Sequence, residues 1–183
     1  QLLKVRVMPV LTVHSEAQAL TVCDALAAGG ILAVEITLRT PAALSAIRAV
    51  KAARPDFCVA AGTVRTPQDM EAVAAAGVDF AVSPGWSPSL SAAASALGLP
   101  FLPGVSTPSE IIQGSECGHS CFKFYPAEAV GGIPLLKALA GPFAGVEFCP
   151  TGGIGTHNYR DYLALPNVLC IGGSWMVDTQ LIV

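Results

Sequence analysis

Short apolar segments rich in β-branched and aromatic residues alternate with longer Ala-rich segments along the sequence. The apolar segments have the length of buried strands, and the segments between them have the spacing of helices. The predicted strands are Val7–Leu11, Ile31–Thr37, Phe57–Ala61, Phe80–Ser83, Phe101–Leu102, Cys121–Tyr125, Val146–Cys149 and Val168–Ile171. The predicted helices are Glu16–Ala28, Ala42–Ala53, Pro67–Ala76, Pro88–Leu97, Pro108–Glu116, Ile133–Ala140 and Thr156–Leu163. Strands that alternate with helices pair in parallel through right-handed crossovers, so the pattern predicts an α/β fold.

The number of predicted elements favours a closed barrel. Eight strands with seven helices are typical of a (β/α)8 TIM barrel, here a single domain over residues 1–183. The alternative is a doubly wound open sheet. Against it, no G-x-G-x-x-G follows the first strand and no G-x-x-x-x-G-K-[ST] is present.

Several helices are predicted to begin at a Ser or Thr followed by Pro, which supplies an N-cap and a preformed first turn. The pairs are Thr40-Pro41, Thr66-Pro67, Ser87-Pro88 and Thr107-Pro108. Glu110 lies three residues after Thr107, which is the spacing of a capping box.

The composition argues against several classes of protein. Hydrophobic residues make up 52% and charged residues 13%, unlike a disordered chain. No apolar run reaches the roughly 20 residues of a membrane span, and the scattered Lys and Arg do not form a nucleic-acid surface. Cys117, His119 and Cys121 approach zinc-ligand spacing but lack a second ligand pair. We therefore expect no metal, no disulfide and a cytoplasmic location.

Lys123 is the most informative polar residue, because it interrupts an apolar strand. By alternation it shares a face with Cys121 and Tyr125, whereas Phe122 and Phe124 point the other way. If the phenylalanines meet the helices, Lys123 points into the barrel. One interpretation is a structural ion pair with an acid, and the other is an amine kept partly neutral to attack a carbonyl. The sequence leaves both open.

Other polar residues lie near the carboxyl ends of predicted strands, where barrel enzymes carry their reacting groups. Glu35 is an ion-pair partner or a general acid/base, and Arg39 offers a fork for a carboxylate, with Thr63 as a second donor. A surface role for Arg39 remains open. The phosphate site expected after the last two strands would use Gly152, Gly153, Gly172, Gly173 and Ser174, although glycines also serve tight turns.

Several longer segments resemble the 2-keto-3-deoxy-6-phosphogluconate (KDPG) aldolase and 4-hydroxy-2-oxoglutarate (KHG) aldolase family over nearly the whole chain. They are GGILAVEITLRTP, AAGTV, AVSPG, FLPGVSTPSE, FKFYPAE, GPF, FCPTGGI, NYRDYLAL and VLCIGGSW. The resemblance implies a class I, metal-independent carbon–carbon lyase without a cofactor. It also implies a homotrimer that splits KDPG into pyruvate and glyceraldehyde 3-phosphate, with 4-hydroxy-2-oxoglutarate as a further substrate.

The resemblance also assigns roles to individual residues. Lys123 would form the Schiff base, Glu35 would be the general acid/base, and Arg39 with Thr63 would bind the pyruvate carboxylate. Pro84 would line the pocket. The residues expected at the phosphate end are Thr151, Gly152, Gly153, Gly172, Gly173 and Ser174. Thr151 would also distinguish sugar configuration.

Two features depart from the family pattern. Tyr125 stands where Phe is frequent, so the ring is kept and a hydroxyl is added. The sequence also ends soon after the last predicted strand, so we expect the final helix of the family to be missing from it. Two other functions stay open: an aldolase for the galactonate-configured substrate, and a phosphate-binding barrel without lyase activity.

Overall fold

The computed structural model describes residues 6–177. The strands are β1 Val7–Leu11, β2 Ala33–Thr37, β3 Cys58–Gly62, β4 Phe80–Val82, β5 Phe101–Leu102, β6 Gly104–Val105, β7 Cys121–Phe124, β8 Glu147–Pro150 and β9 Ile171–Gly173. The helices are α1 Glu16–Ala28, α2 Ala43–Ala53, α3 Pro67–Ala75, α4 Pro88–Ala96, α5 Pro108–Glu116, α6 Gly132–Leu139 and α7 Tyr159–Leu163. Short 3-10 helices cover Glu128–Val130 and Trp175–Val177.

Backbone pairing joins the strands in parallel into a closed ring. One sheet has the order β5-β4-β3-β2-β1-β9 and the other β6-β7-β8. β5 and β6 form one wall of the barrel, interrupted at Pro103, whose carbonyl accepts the Lys123 N–H at 2.8 Å. β8 meets the β9 side through parallel bridges from Phe148 to Val168 and from Thr151 to Gly172. The chain therefore forms the predicted (β/α)8 barrel, and the open sheet is wrong.

Apolar side chains fill the barrel and the space outside it. Two clusters of buried residues lie where the outer faces of the strands meet the helices, and they contain Val34 and Ile36 of β2 and Phe122 of β7. A third, smaller cluster lies inside the barrel and includes Met8 and Phe80. Alternate residues of each strand therefore face the helices and the barrel interior, as the period of a strand requires.

Three of the four predicted Ser/Thr-Pro helix starts are confirmed, and one is wrong. Thr66, Ser87 and Thr107 each accept a backbone N–H of the first helical turn, and Thr107 with Glu110 forms the predicted capping box. Thr40 does not cap α2, which begins at Ala43. Its hydroxyl donates instead to the carbonyl oxygen of Val13 in the loop after β1. A long-range bond therefore replaces the local cap.

Two further predictions concern where the last strand begins and whether a final helix follows it. The last strand begins at Ile171, and Val168, predicted as its start, pairs separately with Phe148. The expected loss of a final helix concerns residues after 177, which lie outside the described residues. Within residues 6–177, none of the helices combines the length and apolar character needed to cross a membrane.

Candidate active site

Lys123 points into the barrel from the middle of β7. It pairs in register with Gly104 of β6 on one side and with Cys149 of β8 on the other. Its neighbours Phe122 and Phe124 belong to the apolar cluster between sheet and helices. The predicted alternation is therefore confirmed, and Lys123 is only 5% exposed.

Glu35 on β2 lies directly opposite this amine. Lys123 Nζ donates to Glu35 Oε1 at 3.1 Å, and both side chains are buried. A lone buried charge is costly, so each group requires the other. The contact is the ion pair considered from the sequence, and it is also the geometry that proton transfer around an imine requires.

Gly62 at the end of β3 makes room for the carboxylate. A Cβ at this position would lie 2.1 Å from Glu35 Oε1, closer than any real contact. The Glu35 side chain therefore occupies the space that a side chain at position 62 would need.

The barrel below this pair has an apolar floor. Its buried members are Met8, Ala33, Ala60, Phe80, Val82, Leu102, Cys149 and Cys170. The sulfur atoms of Cys149 and Cys170 are 3.0 Å apart. The hydrogen bond from Cys170 and burial raise the pKa of the Cys149 thiol well above its ordinary value, which keeps it protonated. The floor is therefore apolar, and its Cys149 thiol stays protonated.

An open cavity of about 490 Å³ lies at the carboxyl ends of the strands. The predicted site residues that line it are Arg39, Tyr125, Thr151, Gly152, Gly153, Gly173 and Ser174. Its other lining residues are Val10, Thr12, Ile154, Trp175 and Val177. Lys123 and Glu35 are not lining residues, but Lys123 Nζ lies 5.4 Å from the centroid of the Tyr125 ring. Tyr125 therefore connects the buried amine with the cavity.

Thr151 lines this cavity and carries a buried hydroxyl group. Its Oγ1 is buried and has no hydrogen-bond partner within residues 6–177. Gly172 lies beside it, and a Cβ there would be 2.4 Å from that oxygen. An unpaired buried hydroxyl in a cavity wall is available for a ligand. The next residues, Gly152 and Gly153, have φ of 104° and 77°, so their turn brings bare backbone to the cavity.

Thr63 and Pro84 lie near the buried pair and are not among the residues that line the cavity. Thr63 directly follows Gly62 and has a φ of 64°, which is uncommon for a residue with a side chain. Pro84 contacts Gly104, where a Cβ would come within 2.4 Å of its carbonyl group. Gly104 in turn pairs with Lys123.

Sequence reasoning missed several residues of the cavity wall. Thr12 follows β1 directly and is polar, so the rule that selected the other strand ends also applies to it. Ile154 and Val177 are apolar and gave no such signal. His119, considered as a zinc ligand, pairs through Nε2 with the Ser91 hydroxyl at 2.9 Å. Within residues 6–177 no group of His, Cys, Asp and Glu side chains is placed to hold a metal ion.

A parallel β/α barrel that carries a buried lysine paired with a carboxylate, beside an open polar cavity, has the architecture of a Schiff-base lyase. The family model described as KDPG and KHG aldolase matches residues 1–183. The chain belongs to this family.

Individual relatives agree with this assignment. The KHG/KDPG aldolase of Escherichia coli strain K12 is 52% identical over 95% of this chain and 82% of its own length. A KDPG aldolase structure from Legionella pneumophila, with pyruvate captured as a covalent carbinolamine intermediate, has a TM-score of 0.96 at 46% identity. That comparison covers 99% of this chain and 88% of the other. A Zymomonas mobilis ZM4 aldolase structure with 3-phosphoglycerate has a TM-score of 0.91 at 43% identity, over 95% of this chain and 83% of the other.

Proposed function

We propose that this chain is a class I aldolase that cleaves KDPG to pyruvate and glyceraldehyde 3-phosphate, with 4-hydroxy-2-oxoglutarate as a further substrate. The observation that carries the proposal is the buried Lys123 amine, 3.1 Å from Glu35 and beside a polar cavity. The capture of pyruvate as a carbinolamine in the Legionella pneumophila relative supports the same chemistry here.

The reaction begins at the Lys123 amine. Nζ gives up a proton and attacks the keto carbon, and loss of water leaves an iminium ion. Glu35, acting through a water molecule, takes the proton of the 4-hydroxyl as the C3–C4 bond breaks. The bonding electrons pass to the iminium, so the products are an aldehyde and an enamine. Glu35 then helps to protonate the enamine at C3, and hydrolysis releases pyruvate and the free amine.

The remaining predicted residues would hold the two ends of the substrate. Arg39 is exposed at the cavity and provides a fork for a carboxylate, and Thr63 beside Gly62 is the second donor. Pro84 and Tyr125 flank the reacting carbon. The phosphate end is assigned to Thr151, Gly152, Gly153, Gly172, Gly173 and Ser174, where bare backbone and hydroxyls are available to an anion.

The proposal includes no cofactor, a homotrimer and a cytoplasmic location. The chemistry needs only the amine and the carboxylate, both of which the chain supplies. Five of the six cysteines, Cys23, Cys117, Cys121, Cys149 and Cys170, are free within residues 6–177, which suits a reducing compartment. Sedimentation of the purified protein will determine whether it is a trimer.

Borohydride trapping tests the mechanism. Incubation with pyruvate and borohydride should add a reduced adduct to Lys123 alone, located by peptide mass analysis. Lys123→Met should abolish both the adduct and pyruvate release. Lys51→Met is the matched control, because Lys51 pairs with Asp79 at 2.8 Å and lies outside the candidate site. An unmodified Lys123 in an enzyme that still turns over would contradict the proposal.

Comparison of substrates tests the two alternatives. Faster turnover of the gluconate-configured compound than of its C4 epimer is expected, because Thr151 is assigned to read that centre. A preference for the epimer would favour the galactonate-configured activity. Binding of phosphorylated ligands without any pyruvate release would favour the barrel without lyase activity.

A further inference from the structure

Thr12 is a cavity residue to which the proposed function gives no role. It follows the last residue of β1, Leu11, and it lines the same cavity as Tyr125 and Ser174. Its hydroxyl oxygen lies 3.0 Å from the hydroxyl oxygen of Thr37, the last residue of β2. The two hydroxyls therefore share one hydrogen bond.

The direction of this bond follows from the partner of Thr37. Thr37 Oγ1 lies 3.1 Å from the carbonyl oxygen of Leu11, which can only accept a hydrogen bond. A hydroxyl has one proton, so Thr37 donates to Leu11 and its oxygen accepts from Thr12. Thr37 is fully buried, and with these two hydrogen bonds its hydroxyl both donates and accepts.

Because Thr12 donates to Thr37, its hydroxyl can only accept a further hydrogen bond. Its proton is committed to Thr37, so only lone pairs remain for a ligand in the cavity. Phosphate and carboxylate oxygens carry no proton to donate, and they are repelled by such lone pairs. Thr12 can therefore bind a group that has a proton to donate, and a neutral hydroxyl of the substrate is such a group.

We infer that Thr12 is a specificity-determining residue that accepts a hydrogen bond from the C5 hydroxyl of the substrate. This inference rests on the proposed function. In KDPG the bond that breaks near Glu35 joins C3 to C4, so the C4 hydroxyl already has a role in the reaction. C6 carries the phosphate. C5 lies between them, in the cavity that extends from the Tyr125 ring beside the amine to Gly153 and Ser174.

The test compares KDPG with its 5-deoxy analogue, which lacks this hydroxyl alone. The wild-type enzyme should show a kcat/KM about tenfold higher for KDPG, the value of one hydrogen bond of about 1.4 kcal/mol. Thr12→Val should lower kcat/KM for KDPG about tenfold and leave the analogue unchanged. Thr12→Ser should keep the preference. Thr12→Ala gives the same comparison if the valine variant does not fold.

The matched control is Thr21→Val on α1, where an exposed threonine loses its bond to the carbonyl of Ala17. It should leave both substrates unchanged. Equal losses for the two substrates in Thr12→Val would mean that Thr12 acts only through Thr37, and would overturn the inference. So would a wild-type enzyme that does not distinguish the substrates. Failure of the wild type to release pyruvate from either would instead refute the proposed function.

Discussion

The position of Glu35 depends on residue 62 being a glycine, which has no side chain. The carboxylate fills the space next to the Gly62 Cα, and the amine of Lys123 lies on its other side. Neither charge has a route to bulk water through the apolar floor. The geometry of the pair is therefore set by the width of the barrel between β2 and β7 and by the absence of a side chain on β3.

Gly62→Ala should therefore reduce activity while leaving the fold intact. The added Cβ would lie 2.1 Å from Glu35 Oε1, so the carboxylate must move away from the amine. A displacement of this size is expected to lower kcat about 100-fold. Pyruvate release measures the loss, and circular dichroism checks the fold.

Gly141→Ala is the matched control, because a Cβ there meets no atom within 4 Å. It should retain full activity. Full activity in Gly62→Ala as well would show that Glu35 has a second productive position and that its present contact is not required.

Residue-level prediction succeeded where alternation alone decides the answer. Lys123 between two phenylalanines needed only the period of a strand. Thr12 and Thr37 are 25 residues apart, and their hydrogen bond depends on how β1 and β2 pair in register. Local sequence contains no information about that register, so the acceptor role of Thr12 required the structure.

Helix ends show the same contrast between local and distant causes. Thr107 and Glu110 are three residues apart and form the box that their spacing predicts. Thr40 has the same Thr-Pro signature but donates to Val13, 27 residues earlier in the chain. Helix starts that depend on residues within one turn were predicted correctly. Hydrogen bonds to distant residues that compete with a local cap could not be predicted from the sequence.

The strand β6 was not predicted, because Pro103 divides a short strand into two pieces of two residues each.

Glu110→Gln should make the stability of the protein less dependent on pH. Burial raises the pKa of Glu110, but hydrogen bonds from Ser106 and Thr107 outweigh it and hold the pKa below its usual value. A carboxyl with a lowered folded pKa stabilises above its unfolded value of about 4.3, and the contribution is lost as the pH falls through the folded value.

Urea unfolding between pH 3 and 7 measures this effect. Glu110→Gln should be less stable than wild type by about 0.5 kcal/mol at pH 7, the value of a carboxylate in a first helical turn, with the difference shrinking below about pH 4. Glu71→Gln, which removes an exposed carboxylate on α3, is the control for loss of charge alone. A difference that stays constant over this range would show that the ionised form gives no extra stability.

At the scale of the whole molecule, closure of the ring determines what the interior can hold. The number of predicted strands and helices favoured a barrel but did not exclude an open sheet, because both use the same alternating elements. The distinction lies in the contact between β8 and the β9 side, made by Thr151 and Gly172. A glycine is needed at this junction because a Cβ at 172 would strike the Thr151 hydroxyl.

The closed core predicts how the cysteines react. Cys117 is exposed, whereas the other five are buried or half-buried. Burial raises the pKa of Cys23 to about 11 and that of Cys121 to about 12. A thiol reagent at pH 8 should therefore find a single fast group, because the thiolate is the reactive form.

Titration with a chromogenic disulfide reagent checks this expectation. The fast reaction should disappear in Cys117→Ser, and the five remaining groups should react only as the protein unfolds in denaturant. A fast reaction that persists in Cys117→Ser would show that the interior opens more readily than its packing indicates.

The apolar floor beneath Lys123 has a stereochemical consequence. Met8, Phe80 and Leu102 fill the barrel below the amine, so a planar iminium or enamine is open to reactants only from the cavity. An incoming aldehyde must then add to one face of that plane. In the synthetic direction, the new carbon–carbon bond should form with a single handedness, whichever aldehyde the cavity accepts.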